Sequence, residues 1–409
     1  MRILQVVGMY GRAGGAENHI YDLAAAFERG GHACIVVYGG AGLDLFHVEG
    51  RPEYHVPGLT SKALRPGEQA ARALRAVLHR ERPDVAYVHT SMEPGAATLL
   101  ARALPVVFFA HTHDLYCPAG SKHLQRSDRV CPHAAGPVCF VQAFLERCQP
   151  RRPGPLARNF VQMRRMQEWA RNVEVLQVDS RDMRERLVAA GYHSDRIAVL
   201  PTAVRIPAGP PSGGPGPRPG PRVLFAGRLT PQKGLCYLLQ AARISRIPYR
   251  LIVAGEGPDV SSSRALAKRL GVADRVDFVG WRSREQMDLL YGDCDLVVVP
   301  SVWPEPFAMV GPEAMGHAKP VVAFDVGGIP DWLEDGVTGF LVSPRDVRAL
   351  AGRIDRLLEN GDLAHRMGEA GRAKALRLYG QDGHVRTLVG LLERAVRGRT
   401  AAGGGRSAV

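Results

Sequence analysis

Two carboxylates, Glu305 and Glu313, lie eight residues apart in the run Ser301-Val302-Trp303-Pro304-Glu305-Pro306-Phe307-Ala308-Met309-Val310-Gly311-Pro312-Glu313. A loop gives way to a helix between them. At such a junction the amides of Phe307, Ala308 and Met309 can donate to sugar hydroxyls or to phosphate. Eight residues is a little over two helical turns, so both acids can face one side. A loop acid plus an unrelated surface-helix acid is the bland alternative, and the apolar residues around both positions weigh against it. A second cluster, Gly227-Arg228-Leu229-Thr230-Pro231-Gln232-Lys233-Gly234, ends a short β-branched run. Arg228 supplies a planar fork and Lys233 a point charge, a combination that suits a pyrophosphate. A third, Gly14-Gly15-Ala16-Glu17, follows the first apolar run and opens a helix. Its glycines permit close backbone approach, and the helix start offers free N–H groups to a phosphate. The third glycine of the dinucleotide fingerprint is missing, so a plain tight turn explains it too.

These clusters need a frame. A chain of 409 residues exceeds what one core usually holds, so two domains are expected. In the first half, β-branched runs (Ile3 to Val7, Cys34 to Tyr38, Val85 to His89, Val106 to Ala110, Val173 to Val178, Ile197 to Leu200) alternate with helical stretches, which implies parallel βαβ units. Pro207 to Pro221 is nearly all Pro, Gly, Ala and Ser and reads as a linker. The alternation then restarts, with strands at Val223 to Ala226, Arg250 to Ala254, Arg275 to Val279, Leu296 to Val299, Val321 to Phe324 and Phe340 to Val342. The expected layout is an N-terminal α/β domain over 1–206, a linker over 207–221 and a C-terminal domain over 222–382. A helix over 383–398 that can return to the first domain and a disordered tail over 399–409 complete it. Ligands of paired α/β domains bind in the cleft, at the carboxyl ends of the strands.

Charge and composition narrow the partners. The formal charge of +13 favours anionic ones. No apolar run reaches 18 residues and the N-terminus lacks a cleavage site, so a cytoplasmic protein is expected. Seven cysteines suit a reducing compartment. Four of them (Cys117, Cys131, Cys139, Cys148) cluster with His123 and His133, but no Cys-x2-Cys pair occurs. Free thiols, a structural metal and a disulfide all stay open. Arg147 to Arg171 holds seven arginines and one acid, Glu168, with Phe160, Val161, Met163, Met166 and Trp169 interleaved. Such a stretch suits an anionic membrane surface, an anionic acceptor, or simply a solvated helix. No nucleic-acid-binding motif accompanies it. Asp293-Cys294-Asp295 imitates a metal-binding DxD and is read as structural, with Asp295 opening a buried strand.

Taken in order, the Glu-x7-Glu spacing, the Gly-Arg-Leu…Lys-Gly run, Val253-Ala254-Gly255-Glu256-Gly257-Pro258 and Gly327-Gly328-Ile329-Pro330 resemble glycosyltransferase family 4, retaining enzymes of the GT-B fold. Gly14 to Glu17 is similar to the same family's N-terminal loop. The resemblance implies two Rossmann-like parallel-sheet domains facing across a cleft. Arg228 and Lys233 would bind the donor diphosphate, Glu313 the ribose, and Glu305 with the amides of Phe307 to Met309 the donor sugar. Gly14 and Gly15 would approach the diphosphate from the other domain. Glu256 and the loop at Val279 would complete the donor site near the base. His111, directly after the strand Val106 to Ala110, matches the family's histidine at the sugar site, with His113-Asp114 the rival assignment. The implied reaction moves a sugar from a nucleoside diphosphate, UDP favoured over GDP-mannose, to a hydroxyl of a glycolipid, polysaccharide or natural product. No cofactor and no metal would be required. The competing readings are an inactive nucleotide-sugar-binding scaffold, an epimerase and a pyridoxal-phosphate phosphorylase of similar architecture.

Overall fold

The computed structural model describes all residues except 11–14, 42–47, 61–67, 210–219 and 402–409, and gives the backbone alone for 15–18 and 41. In chain order the elements are β1 (Arg2–Tyr10), α1 (Gly15–Arg29), β2 (Ala33–Ala41), β3 (Glu53–His55), α2 (Glu68–Glu81), β4 (Val85–Val88), α3 (Pro94–Ala103), β5 (Val106–Phe109), β6 (His123–Leu124), β7 (Arg129–Val130), α4 (Val138–Leu145), α5 (Pro153–Ala170), β8 (Val175–Val178), α6 (Arg181–Ala189) and β9 (Ile197–Val199). The second half continues with β10 (Arg222–Ala226), α7 (Leu235–Ile244), β11 (Arg250–Ala254), α8 (Val260–Leu270), β12 (Val276–Gly280), α9 (Arg284–Asp293), β13 (Leu296–Val299), α10 (Val310–Gly316), β14 (Val321–Phe324), α11 (Ile329–Trp332), β15 (Gly339–Val342), α12 (Val347–Glu359), α13 (Gly361–Tyr379) and α14 (Gln381–Ala401).

The chain forms two compact units. The first carries a seven-stranded parallel sheet in the order β3-β2-β1-β4-β5-β8-β9. Both of its faces are covered, and the strands follow the period of two. Leu4 and Val6 enter the cluster formed with α2, α3 and α6, whereas Ile3 and Val7 enter the one formed with α1 and α14. The second unit carries a six-stranded parallel sheet, β12-β11-β10-β13-β14-β15, with the same alternation: Val223 and Phe225 on one face, Leu224 on the other. In each sheet the strand order reverses beside its first strand, between β1 and β4 and between β10 and β13. Crevices open at the carboxyl ends of strands at such points.

The boundaries differ from the expected ones in three places. The first unit reaches Thr202 rather than 206, Lys122–Cys131 joins Ala203–Gly380 in the second, and the C-terminal helix that could return to the first unit is part of it over 381–401 rather than 383–398. Helix α14 belongs to the first unit because Leu388, Leu391, Leu392 and Ala395 pack into its core and Arg399 donates to the carbonyls of Ala101 and Leu104 at 2.7 and 2.6 Å. That anchoring carries the helix through residues 399–401, which composition alone placed in a disordered tail. The hairpin β6–β7 was not expected at all. Its Asp128 accepts hydrogen bonds from Tyr237 on α7 and from His123, and Arg345 donates to the Ser127 carbonyl at 3.3 Å. Most of the Pro/Gly-rich linker lies outside the described residues.

Candidate functional site

The second unit's switch point assembles the charged groups. Beyond β10, a 3-10 turn at Pro231–Lys233 is closed by Gly234 in the left-handed region, φ 68°. A Cβ at Gly234 would sit 1.9 Å from the Pro300 carbonyl oxygen, so only glycine lets the turn lie against the end of β13. The amide of Val302 completes that seam, donating to the Gln232 carbonyl at 2.9 Å. Lys233 is thereby delivered to the loop after β13. Its Nζ lies 2.7 Å from Oε1 of the buried Glu305, which also accepts from Ser301 Oγ at 2.5 Å. A buried carboxylate is tolerable because it has both a countercharge and a hydrogen bond. The ammonium also lies 5.6 Å from the centre of the Trp303 ring. Arg228 is exposed, and its side chain makes no ion pair among the described residues.

The loop then turns into α10 through Ala308, a non-glycine residue at φ 64°. Strain of that kind persists where the surroundings over-determine it. The Phe307 side chain is core: its ring is 5.4 Å from that of Tyr379, and its carbonyl accepts from Trp332 Nε1 at 2.6 Å. The amides of Phe307, Ala308 and Met309, by contrast, have no hydrogen-bond partner among the described residues. Glu313 does not join the Glu305 pair. Its Oε2 accepts from Tyr291 OH at 2.9 Å, and burial raises its carboxyl above the usual range. Glu256, after β11, accepts from the Trp281 amide at 3.5 Å, while Val279 is partly buried against the core. Asp293 and Asp295 are occupied structurally, pairing with the side chain and the amide of Arg222.

The first unit has its own cavity of about 500 Å³ at the carboxyl ends of β1, β4 and β5. Its walls include His89, Ser91, His111, Asn159, Gln162 and Met163. His111 is in the wall, whereas His113 is buried away against Tyr116. His111 Nε2 lies 3.2 Å from His89 Nδ1, and His89 Nε2 is buried without a partner among the described residues. Gly14 lies outside the described residues, and α1 opens at Gly15.

Burial pushes His111 down to about 4, and His89 well below the usual histidine value. His384 on α14, buried and bonded to the Pro201 carbonyl, is likewise held at about 4. These rings are neutral in the fold but protonate when unfolded, so they cost stability as pH falls from 6.5 toward 4. Asp179, pushed up to about 6 by burial, works the other way, regaining part of that loss below pH 6. At pH 5 His111 and His384 each cost about 2 kcal/mol, and Asp179 returns about 1. We expect net stability to fall by about 3 kcal/mol between pH 7 and pH 5, with His89 adding to the fall, read by urea unfolding at both values. An unchanged midpoint would mean these rings titrate normally.

Sequence reasoning missed His89, Ser301 and Trp281. His89 had a signal: it ends an apolar run, and the parallel register pairing Val88 with Phe108 brings it beside His111. Ser301 and Trp281 had none beyond following a strand. Cys117, Cys131, Cys139 and Cys148 form no disulfide, and Cys131 lies in the second unit and the rest in the first. No cluster of three or more His, Cys, Asp or Glu suited to a metal occurs among the described residues.

Residues 13–206 match the model of Glycosyltransferase Family 4, and residues 216–374 match Glycosyl transferases group 1. The chain is 44% identical over 146 residues to a D-inositol 3-phosphate glycosyltransferase of Mycobacterium sp. strain KMS. That stretch is 34% of this chain and 32% of the relative, so the match spans about a third of the relative's length. Sucrose-phosphate synthase of Thermosynechococcus elongatus superimposes with a TM-score of 0.74 at 19% identity, covering 96% of this chain and 99% of that one. HepE of Anabaena, solved with UDP-glucose, gives 0.69 at 20% identity, over 96% and 100%. With two parallel-sheet units of this topology and two adjoining family matches that take in most of its length, the chain belongs to glycosyltransferase family 4 and has the GT-B fold.

Proposed function

We propose that this protein is a retaining glycosyltransferase that moves a sugar from a nucleoside diphosphate sugar, UDP-linked rather than GDP-mannose, to a hydroxyl of a glycolipid, a polysaccharide or a small natural product. The observation that carries it is the Lys233–Glu305–Ser301 group at the switch point, with exposed Arg228 beyond the end of β10 and the amides of Phe307 to Met309, which have no partner among the described residues. Family membership supports it, as does the fold shared with a protein solved with UDP-glucose.

In the proposed step the bond from the sugar's anomeric carbon to the diphosphate oxygen breaks. The acceptor oxygen bonds to that carbon on the same face, and its proton passes to the departing phosphate. Negative charge grows on the diphosphate as this happens, so Arg228 and Lys233 contribute most in the transition state. Glu305 holds the sugar together with the amides. Glu313 reaches the ribose, from a position now shared with Tyr291 OH. Glu256 and Val279 lie toward the base. Gly14 and Gly15 approach the diphosphate. His111, neutral at working pH, accepts or donates a hydrogen bond to the sugar rather than carrying charge. The acceptor enters the first unit's cavity. No bound metal or other cofactor takes part, because the two cations supply the counter-charge. The setting this reading expects is cytoplasmic, with peripheral contact to an anionic membrane.

The test is turnover of UDP-glucose, UDP-galactose, UDP-N-acetylglucosamine and GDP-mannose, with and without EDTA, against a mixture of polyol and lipid acceptors. The anomer formed is read by NMR. A UDP-sugar turned over with retention and without loss in EDTA supports the reading. Inversion, or full dependence on added metal, contradicts it. Binding without any turnover points to the inactive scaffold.

A further inference from the structure

Helix α4 is out of place as a water-facing element. Its sequence, Val138-Cys139-Phe140-Val141-Gln142-Ala143-Phe144-Leu145, is apolar nearly all round, yet Ala143 is its only buried residue. A helix apolar on every side is normally buried. Here Val141, Phe144 and Leu145 are 56, 53 and 55% exposed, and Phe140 is 39% exposed. The patch continues onto α5, since the Phe140 and Phe160 rings lie 5.5 Å apart and Val161 beside them is 38% exposed. Scattered exposed apolar side chains are ordinary; five large ones joined over two packed helices mark an interaction surface.

The charges around the patch identify what it meets. Arg147, Arg151 and Arg152 are exposed in the turn between the two helices, and Arg158 and Arg164 are exposed on α5. Arg164 lies over the Phe160 ring at 5.6 Å, so cation and apolar side chain share one surface. From Val138 to Arg171 the acids are Glu146 and Glu168 against seven arginines. Protruding Phe, Val and Leu rimmed by arginine is the make-up of a segment that seats its apolar side chains among lipid tails and its cations among anionic headgroups. No helix among the described residues is long and apolar enough to cross a membrane, so the contact is with the surface.

We propose that the α4–α5 face docks this protein onto an anionic lipid bilayer. The next face of α5 bears Asn159, Gln162, Met163 and Met166, which line the first unit's cavity. Docking therefore sets that cavity beside the lipid surface. The proposal needs neither the donor nor the reaction assigned above, and its test uses neither.

The full chain is sedimented with vesicles of equal parts phosphatidylglycerol and phosphatidylcholine, and with vesicles of phosphatidylcholine alone, at roughly 0.15 M salt. The variant Val141→Ser/Phe144→Ser/Leu145→Ser is run alongside; these side chains are already in solvent, and its thermal midpoint confirms that it folds. Expected are binding to the anionic vesicles, at least tenfold weaker binding to the neutral ones, and a loss of about tenfold or more in the triple variant. The Arg151→Ala/Arg152→Ala/Arg158→Ala variant should lose binding most at low salt. Three outcomes overturn the proposal: no vesicle binding by the parent chain, equal binding by the parent and both variants, or a parent dimer, seen in sedimentation velocity, that the serine variant dissolves while vesicle binding is absent. The last would make the face a contact between copies.

Discussion

Lys233→Ala should lower kcat/KM for the donor by about 10²–10³-fold, mostly in kcat, because the ammonium is needed where charge develops on the leaving diphosphate. The same substitution strips the buried Glu305 of its countercharge, which by itself costs about 3 kcal/mol of stability. The two effects can be separated. In the double variant Lys233→Ala/Glu305→Gln, the neutral amide needs no countercharge and its oxygen still accepts from Ser301 Oγ. Stability should return toward the parent value while kcat/KM stays below that of Glu305→Gln alone, which carries the loss at the acid assigned to the sugar. Equal kcat/KM in the double variant and in Glu305→Gln would show that Lys233 acts only as a structural partner of Glu305. Melting temperatures and initial rates on the parent and the three variants decide between these.

The second large effect is at Gly327, between β14 and α11. Its φ is 56°, and a Cβ there would lie 2.4 Å from the carbonyl oxygen and 2.5 Å from the nitrogen of Glu305. Gly328 next to it donates to that same carbonyl at 2.7 Å. Gly327→Ala therefore meets two costs, a left-handed alanine at about 1 kcal/mol and a backbone displacement at about 2 kcal/mol. The displaced backbone is that of the acid assigned to the sugar, so turnover should fall with stability. Gly336→Ala is the matched control. Its φ is 76°, but nothing lies within 4 Å of the added Cβ, so only the cost of about 1 kcal/mol applies and turnover should be unchanged. Equal losses in the two variants would show that the backbone of Glu305 does not need Gly327.

The comparison of these two glycines also shows what was readable from residues alone. The Gly327-Gly328-Ile329-Pro330 run could be recognised, but not that Gly327 exists to let Glu305 approach; that contact joins residues 22 apart on different loops. The strands were legible because fully buried parallel strands leave β-branched runs between helical periods. β3 was not, since Glu53-Tyr54-His55 is a three-residue edge strand without apolar alternation. The hairpin β6–β7 was hidden for a different reason. Two-residue strands carry no period, and the Asp128–Tyr237 and Arg345–Ser127 contacts that hold them are tertiary. Within the site, Lys233 and Glu305 were legible by residue type, but the ion pair between them was not. It follows from the strand order β10-β13, which brings loops about 70 residues apart to one switch point. Glu313 was read as able to share a face with Glu305; that its carboxyl accepts from Tyr291 on α9 is a tertiary contact no spacing carries. The sparing of the Arg147–Arg171 segment from a single reading has the same root: Met163 and Met166 went into the fold, and Val161 stayed outside.

The central claim is that the switch point of the second unit holds a nucleoside diphosphate. Calorimetric titration of the parent chain and of Arg228→Ala with UDP, GDP and ADP, without added metal, tests it most directly. The account predicts that UDP binds the parent tightest of the three and that Arg228→Ala weakens UDP by about tenfold or more, since an exposed guanidinium contributes only through the ligand it meets. Binding that Arg228→Ala leaves intact, or no heat with any of the three nucleotides in folded protein, would contradict it.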